Sequence, residues 1–330
     1  SNEISRYLIQ IESELPHKIA HKDYNFKWDN KSAPNEIKKD SSTLKKIDLL
    51  FEKGLSPSAL NTYLSCPLDF YYKYALRINE KKELEETIEN STQGTIIHEV
   101  LEELYKEHSP TITESSVDAM LKTYEALTDK LYLKQFPSKS YRYGKNLLYY
   151  KMALKEIKLF LTQEKKQIQK KGPIEILGLE KTFTTAIEIE TSQGRKTIVL
   201  KGNVDRIDTQ NGQIRIIDYK SGFVKPEEVS VPSIEQVFEK PKAAQLLFYG
   251  YLYNKKNPNS GAISGIVSMR NLKQNLIPFS FKEKKGEEKI KEEELYNNFE
   301  EILISKIQEI YNVSILFAHD SKAKYCMLCE

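Results

Sequence analysis

Three side chains near the middle of the chain can do chemistry that packing alone does not require: Asp205, Asp218 and Lys220. Asp218 and Lys220 stand two apart in IRIIDYKSG, residues 214–222, behind Ile214, Ile216 and Ile217. Side chains two apart on a strand point to one face. A carboxylate and an ammonium therefore share a face at the end of an apolar strand. GNVDRID forms the end of a preceding strand, and QNGQ joins the two. Asn-Gly between apolar strands is the strongest short-range hairpin signal, a two-residue type I′ turn. With Asn211 and Gly212 as the loop, Gln210 pairs with Gln213, Ile207 with Ile216, and Asp208 with Arg215 as a cross-strand ion pair. Counting on, Asp205 falls opposite Asp218, and Asn203 opposite Lys220.

Like charges directly opposed on a sheet are destabilising. Two carboxylates so close on a partly buried face need a cation or a shared proton. Carboxylate oxygens suit a hard divalent ion such as Mg2+ or Mn2+. Lys220, on the same face, is placed to orient a water or to steady charge on a transferring phosphate. The competing reading is a structural ion-pair cluster at a sheet edge, and for an isolated D-x-K tripeptide it prevails. The turn register, which sets a second aspartate against the first, favours a metal site.

The surrounding pattern supplies the elements that must hold these groups. PIEILGLEKTFTTAIEIET, RKTIVLKGNVDRID and GQIRIIDYKS read as three strands; KPKAAQLLFYGYLYNKK as a helix; ISGIVSMR and NLIPFSF as further strands. In SPSALNTYLSCPLDFYYKYAL, Ser56 caps a helix that begins at Pro57, a favoured pair, and Pro67 restarts it after Cys66. A second helix opens near Gly94, with Ile97, Leu101, Leu104 and Tyr105 at helical spacing. Residues 116–171 continue as long amphipathic helices, and residues 287–311 form a charged one. The expected fold is α/β, a mixed sheet flanked by helices. Residues 1–53 read as a linker and surface arm, and residues 54–330 as the folded domain, with a helical insertion over 112–171 and a C-terminal helix and cysteine segment over 287–330. A chain of 330 residues exceeds most single cores, so one large domain with a helical annex, or two domains, is expected.

Apolar content of 39% and charged content of 29% describe a globular chain rather than a disordered one. No run approaches the ~20 apolar residues of a membrane helix. The net charge of +3 does not by itself identify a nucleic-acid partner, because lysine is interleaved with glutamate, as in EEKIKEEEL. Three cysteines without a secretory signal argue for a reducing, cytoplasmic setting. Cys326 and Cys329 have a C-x2-C metal-ligand spacing. FYYKY offers stacking faces for single-stranded bases, but the simpler reading packs Phe70, Tyr71 and Tyr74 onto the core.

GNVDRID followed by IIDYKSG resembles the paired motifs of the PD-(D/E)XK nuclease superfamily, and most closely its RecB-like branch, which includes the AddB and RecB nuclease domains and the CRISPR-associated four-cysteine exonucleases. LSPSALNTYLSCPLDFYYKY, GTIIHEVLEELY, QLLFYGYLY and KYCMLCE are similar to that branch's other segments, in the same order. The resemblance implies a restriction-endonuclease-like core. It implies that His98, Asp205, Asp218 and the Tyr219 backbone carbonyl hold the metal. Lys220 would be the catalytic lysine, with Asp205 and Asp218 completing the acidic pair and Gln245 and Tyr249 in support. Read alone, His98 is an ordinary semi-buried histidine beside an apolar stripe, and Gln245 and Tyr249 are the polar edge of a packed helix. Glu180 stays outside the expected set, since a salt-bridge role serves it equally well.

The resemblance further implies hydrolysis of DNA phosphodiesters with Mg2+ or Mn2+, as the exonuclease domain of a helicase–nuclease that processes DNA ends for recombination and repair. DNA and a helicase or nuclease subunit are the implied partners. Cys66, Cys326 and Cys329 match three of four cysteines that hold a [4Fe–4S] cluster in cluster-bearing relatives; the fourth is expected a few residues beyond Glu330, with the chain an excised piece of a longer one. Two alternatives remain: an inactive DNA-binding or scaffold module, and a stand-alone CRISPR-adaptation nuclease. The complete acidic pair and lysine weigh against the first, and the long helical segment at 112–171 against the second.

Overall fold

The computed structural model describes residues 6–14, 36–78, 87–282, 290–323 and 326. A helix, α1 (Arg6–Glu14), belongs to one unit, and residues 35–330 form the other. In that larger unit the period-two pattern of the middle of the chain becomes three strands, β3 (Ile174–Thr191), β4 (Gly194–Gln210) and β5 (Gln213–Lys220). Around them, in chain order, lie β1 (Glu36–Ile37), α2 (Ser41–Lys53), α3 (Pro57–Ser65), α4 (Pro67–Phe70), α5 (Asn90–His108), β2 (Thr111–Ile112), α6 (Glu114–Gln135) and α7 (Gly144–Lys171) before β3. After β5 come β6 (Ser230–Val231), α8 (Pro241–Lys256), β7 (Ile263–Ser268), β8 (Ile277–Pro278), β9 (Ser280–Phe281), α9 (Glu292–Tyr311) and β10 (Phe317–Ala318).

The principal sheet has six strands in the order β2-β3-β4-β5-β7-β8. It is mixed: β5 and β7 run parallel, and the other neighbours are antiparallel. Parallel neighbours need a crossover, and α8 supplies it. One face of the sheet, through Val204, Ile207 and Ile216, packs against α2, α3, α8 and α9; the other, through Ile217, Tyr219 and Val267, packs against α5, α6 and α7. This is the expected α/β arrangement.

The hairpin forms as its sequence dictates. Asn211 and Gly212 have φ of +54° and +75°, as a type I′ turn requires, and Gln210 pairs with Gln213. The register runs through Asp208–Arg215 and Ile207–Ile216 to Arg206–Ile217, where the ladder ends one step before Asp205 and Asp218. The Asp208–Arg215 ion pair is part of a larger buried network. Asp208 is fully buried between Arg215 (2.6 Å) and Arg206 (2.7 Å), and Arg206 also meets Glu164 of α7 (2.8 Å). Charges this deep persist only when paired.

The helix signals also hold. Ser56 accepts a hydrogen bond from the Ala59 N–H (3.2 Å) with Pro57 opening α3, and Phe70 and Tyr71 are buried with Tyr74 packed against the core. The helix expected near Gly94 starts earlier, at Asn90. One expectation needs correcting. Residues 1–53 do not all form an arm, because α2 buries Leu44, Ile47, Leu50 and Phe51 in the first core and is capped by Asp40, which accepts from the Thr43 N–H. Their helical spacing is diluted by the polar residues before them, and the compact unit begins at residue 35.

Candidate metal-dependent active site

The candidate catalytic residues converge where β4 and β5 part. Beyond the last ladder pair, the Asp205 carboxylate accepts the Tyr219 backbone N–H (2.7 Å), taking the place of a strand–strand bond. His98 reaches in from α5, its Nδ1 3.5 Å from the same Asp205 oxygen. Lys220 Nζ lies 2.8 Å from Asp218 Oδ2, and Gln245 of α8 donates to Asp218 Oδ1 (3.0 Å) and to the Tyr249 hydroxyl (2.9 Å). The i, i+4 spacing of Gln245 and Tyr249 puts both on one side of α8, as expected. Tyr219 lies between Asp218 and Lys220 in sequence, with its own ring turned the other way, against Phe160 and the edge of His98.

Two close approaches make the arrangement possible. A Cβ on Gly94 would stand 3.2 Å from Ser221 Oγ, so the glycine lets α5 reach the end of β5. A Cβ on Gly202 would come within 2.7 Å of Leu252 and 3.1 Å of the Tyr249 ring, so this glycine lets α8 lie on β4.

Glu180, outside the set expected from the sequence, lies beside His98 and Asp205. One oxygen of Glu180, one of Asp205 and a nitrogen of His98 all lie within 4.8 Å of one another, and Asn203 donates a hydrogen bond to Glu180. The backbone explains this placement. Phe183, Ile187 and Ile189 of β3 pack in the first core, whereas Leu179, of the same parity, packs against the second. On β4, Ile198, Leu200 and Val204 face the first core, but Arg206 lies over Tyr105 (4.6 Å) and Tyr219 (5.7 Å) of the second. The swap occurs at Glu180, whose φ of +44° is rare for a residue with a side chain. A local distortion of this kind re-aims side chains, and such strain concentrates at functional sites. One signal for Glu180 is present in the sequence: counting back from the turn closed by Thr191 and Gly194 sets it against Asp205.

The electrostatics fit a cation. Burial, and then the charge of Asp205, push the Asp218 carboxyl up to about 6 despite Lys220. Burial and the Asp205 charge likewise raise Glu180. Burial opposes a charged His98 ring, but its hydrogen bond to Asp205 and the two aspartates outweigh it, so His98 titrates above its usual value. Three carboxylates thus face one lysine and one histidine. Asp218 Oδ2, though close to Lys220 Nζ, has no well-aligned hydrogen bond among the described residues. The oxygen and imidazole donors match those a hard or borderline divalent ion takes. His98, Glu180 and Asp205 can hold such an ion, with Asp218 beside them.

The site is open: the side chains of Lys220 and His98 are 31% and 28% exposed. A separate cavity of about 280 Å3 against α7, lined by Arg206 and Arg215 among others, contains none of the candidate catalytic residues.

Cys66 and Cys326 also come together, joined by His319, which no motif in the sequence singles out. Cys329 lies outside the described residues.

A sequence profile of the PD-(D/E)XK nuclease superfamily matches residues 54–330. Curated relatives include an ATP-dependent helicase/deoxyribonuclease subunit from Alkaliphilus oremlandii, 28% identical over 59% of this chain, its counterpart from Clostridium perfringens, 28% over 58%, and that from Carboxydothermus hydrogenoformans, 30% over 54%. In each case the match spans 17% of the relative's length, so the chain corresponds to a small part of these proteins. The described residues contain no helix long and apolar enough to cross a membrane. With the paired aspartates, the lysine and the mixed sheet that carries them, these matches identify the chain as a member of the PD-(D/E)XK nuclease superfamily.

Proposed function

We propose that this chain is a divalent-metal-dependent deoxyribonuclease domain acting on linear DNA ends, as part of a cytoplasmic helicase–nuclease that processes those ends for recombination and repair. The observation that carries the reading is the cluster of His98, Glu180 and Asp205 donors within 4.8 Å, beside the Asp218–Lys220 pair at the open end of the sheet. The relatives' names point to the same assembly.

In this reading His98, Glu180, Asp205, Asp218 and the Tyr219 carbonyl hold Mg2+ or Mn2+. When bound, such an ion offsets phosphate and leaving-group charge and makes water easier to deprotonate. Asp205 is held in one rotamer by the Tyr219 N–H, so it meets a ligand already oriented. Gln245 fixes Asp218 from the far side, and Tyr249 fixes Gln245. Lys220 holds its ammonium where it orients a water or meets a phosphate oxygen. An inactive scaffold has no need of this set, and its completeness favours catalysis.

The test is degradation of end-labelled linear DNA with Mg2+ or Mn2+, beside closed circular DNA, chelator, Asp218→Ala and Lys220→Ala. Loss of label from linear DNA alone, abolished by chelator and by either substitution, is expected. DNA binding without cutting under either metal would transfer the reading to the scaffold. Cutting that survives both substitutions would remove the site assignment.

A further inference from the structure

The loop that leaves Lys220 carries an exposed aromatic ring. Phe223 is 55% exposed, whereas the next residue, Val224, is buried in a third, smaller core with Leu246 and Ile266. The loop is fixed from the β7 side. The Lys220 carbonyl accepts the Met269 N–H (2.9 Å). Ser268, fully buried, donates to the Gly222 carbonyl (2.8 Å) and accepts the Val224 N–H (3.1 Å). The Asn271 side-chain amide donates to the Val224 carbonyl (2.8 Å). The backbone on each side of Phe223 is therefore tied down, and Val224 takes the apolar space beneath it.

Single exposed apolar side chains are normal on a protein surface. Two features set this one apart. Its backbone is already ordered, so a ring that meets a ligand has little freedom left to lose. It is also tethered to the candidate site: three residues hold the Phe223 Cα within about 11 Å of the Lys220 Cα. At ~3.4 Å per nucleotide step, that is roughly three nucleotides from a phosphate at Lys220. Lys225, two residues on, is exposed and offers a cation to the backbone of a strand passing the ring. Aromatic side chains stack on bases of any sequence, but only on a face that is free. A base inside a duplex has both faces covered by its neighbours, and a base in a single strand does not.

We propose that Phe223 is a stacking platform for a base of single-stranded DNA whose phosphodiester lies at Lys220, so that the site takes single-stranded ends. The inference rests on the nuclease reading and adds a substrate class to it.

The test is equilibrium binding of a labelled single-stranded oligonucleotide, beside a blunt duplex of the same length. Ca2+ replaces Mg2+ as a cation that also takes oxygen ligands, and strand integrity is checked after each titration. Phe223→Ala should weaken single-strand binding about 5- to 100-fold and duplex binding by less than ~5-fold. Phe223→Trp should bind single strands at least as tightly as the parent. An abasic site moved along the strand should weaken binding by the parent at one or two positions near the end. It should have no such effect on Phe223→Ala, whose stacking partner is already gone. Equal single-strand affinity of the parent and Phe223→Ala, equal losses for strand and duplex, an abasic effect undiminished in the variant, or no single-strand binding by the parent would overturn the proposal. Failure of the nuclease reading is seen separately, in the degradation of linear DNA with Mg2+ or Mn2+: a chain that shows the coupling between Phe223 and the abasic position but does not cut keeps the platform and loses the catalysis.

Discussion

Replacing Gln245 by leucine tests whether the residues behind the carboxylates set the affinity for the cation. The Gln245 amide donates to Asp218 Oδ1 at 3.0 Å and to the Tyr249 hydroxyl at 2.9 Å, so it orients a carboxylate that is 3% exposed and has few other restraints. Removing an outer-shell partner of a metal ligand typically costs 10–100-fold in metal affinity or activity, or about 1.4–2.8 kcal/mol. Two hydrogen bonds contribute roughly 1–3 kcal/mol of net stability, and leucine recovers part of that by packing. The variant should therefore stay folded while its requirement for Mn2+ rises about 10–100-fold. Tyr249→Phe keeps the ring and the Asp218 bond, and should shift the requirement by less than ~10-fold. The assay is DNA degradation against metal concentration, beside urea denaturation of each variant. A Gln245→Leu curve that superimposes on the parent's, with DNA degradation intact, would show that Gln245 does not position Asp218.

Three further outcomes follow from the geometry. Asp208→Ala leaves the Arg215 guanidinium without its carboxylate and Arg206 with only one of two, and should cost about 3–5 kcal/mol in urea denaturation; a loss below ~1 kcal/mol would mean that the network is hydrated. Gly202→Ala drives a methyl into Leu252 and the Tyr249 ring, so it should destabilise by roughly 1–3 kcal/mol and raise the metal requirement as Gln245→Leu does; a neutral effect on both would remove the close-packing argument. Lys39, 4% exposed, donates to the Glu309 carbonyl (2.9 Å), and burial, only partly opposed by Glu309, lowers its pKa from 10.5 to about 8. The unfolded chain then binds more protons between pH 8 and 10.5, so stability gains up to ~3 kcal/mol as pH rises through that window and loses it as pH falls through 8. Lys39→Met should flatten that part of the profile, and an equally steep rise in the variant would refute the assignment.

What could be read from the sequence depended on how far each signal reached. Asn211-Gly212 fixed the β4–β5 register because a two-residue turn leaves no freedom, and the Asp208–Arg215 pair followed from it. Glu180 escaped because its placement depends on a backbone residue at φ +44° and on a change of which core the strands face, and neither has a composition signature. α2 escaped because its apolar residues follow a polar stretch that weakened their periodicity. The Cys66 cluster was half legible: the C-x2-C spacing marked Cys326 as a candidate ligand, but His319 is brought in by the end of α9 and β10, which no spacing rule links to α3.

The origin of each residue explains why the candidate site could be read from the sequence at all. Asp205, Asp218 and Lys220 come from one hairpin, so local rules reach them. His98 comes from α5, which packs on the second core, and Gln245 and Tyr249 from α8, which packs on the first. The site therefore straddles the sheet where β4 and β5 separate, and it is complete only when both cores have formed. An unoccupied ladder position shapes it: the register of β4 and β5 ends at Arg206–Ile217, the Tyr219 N–H holds Asp205, and a charged pair that a continuous ladder would penalise becomes the candidate socket for a cation. Extending the ladder by one pair would cancel that socket. The ion-pair network of Arg206, Asp208 and Arg215 lies immediately inside the break.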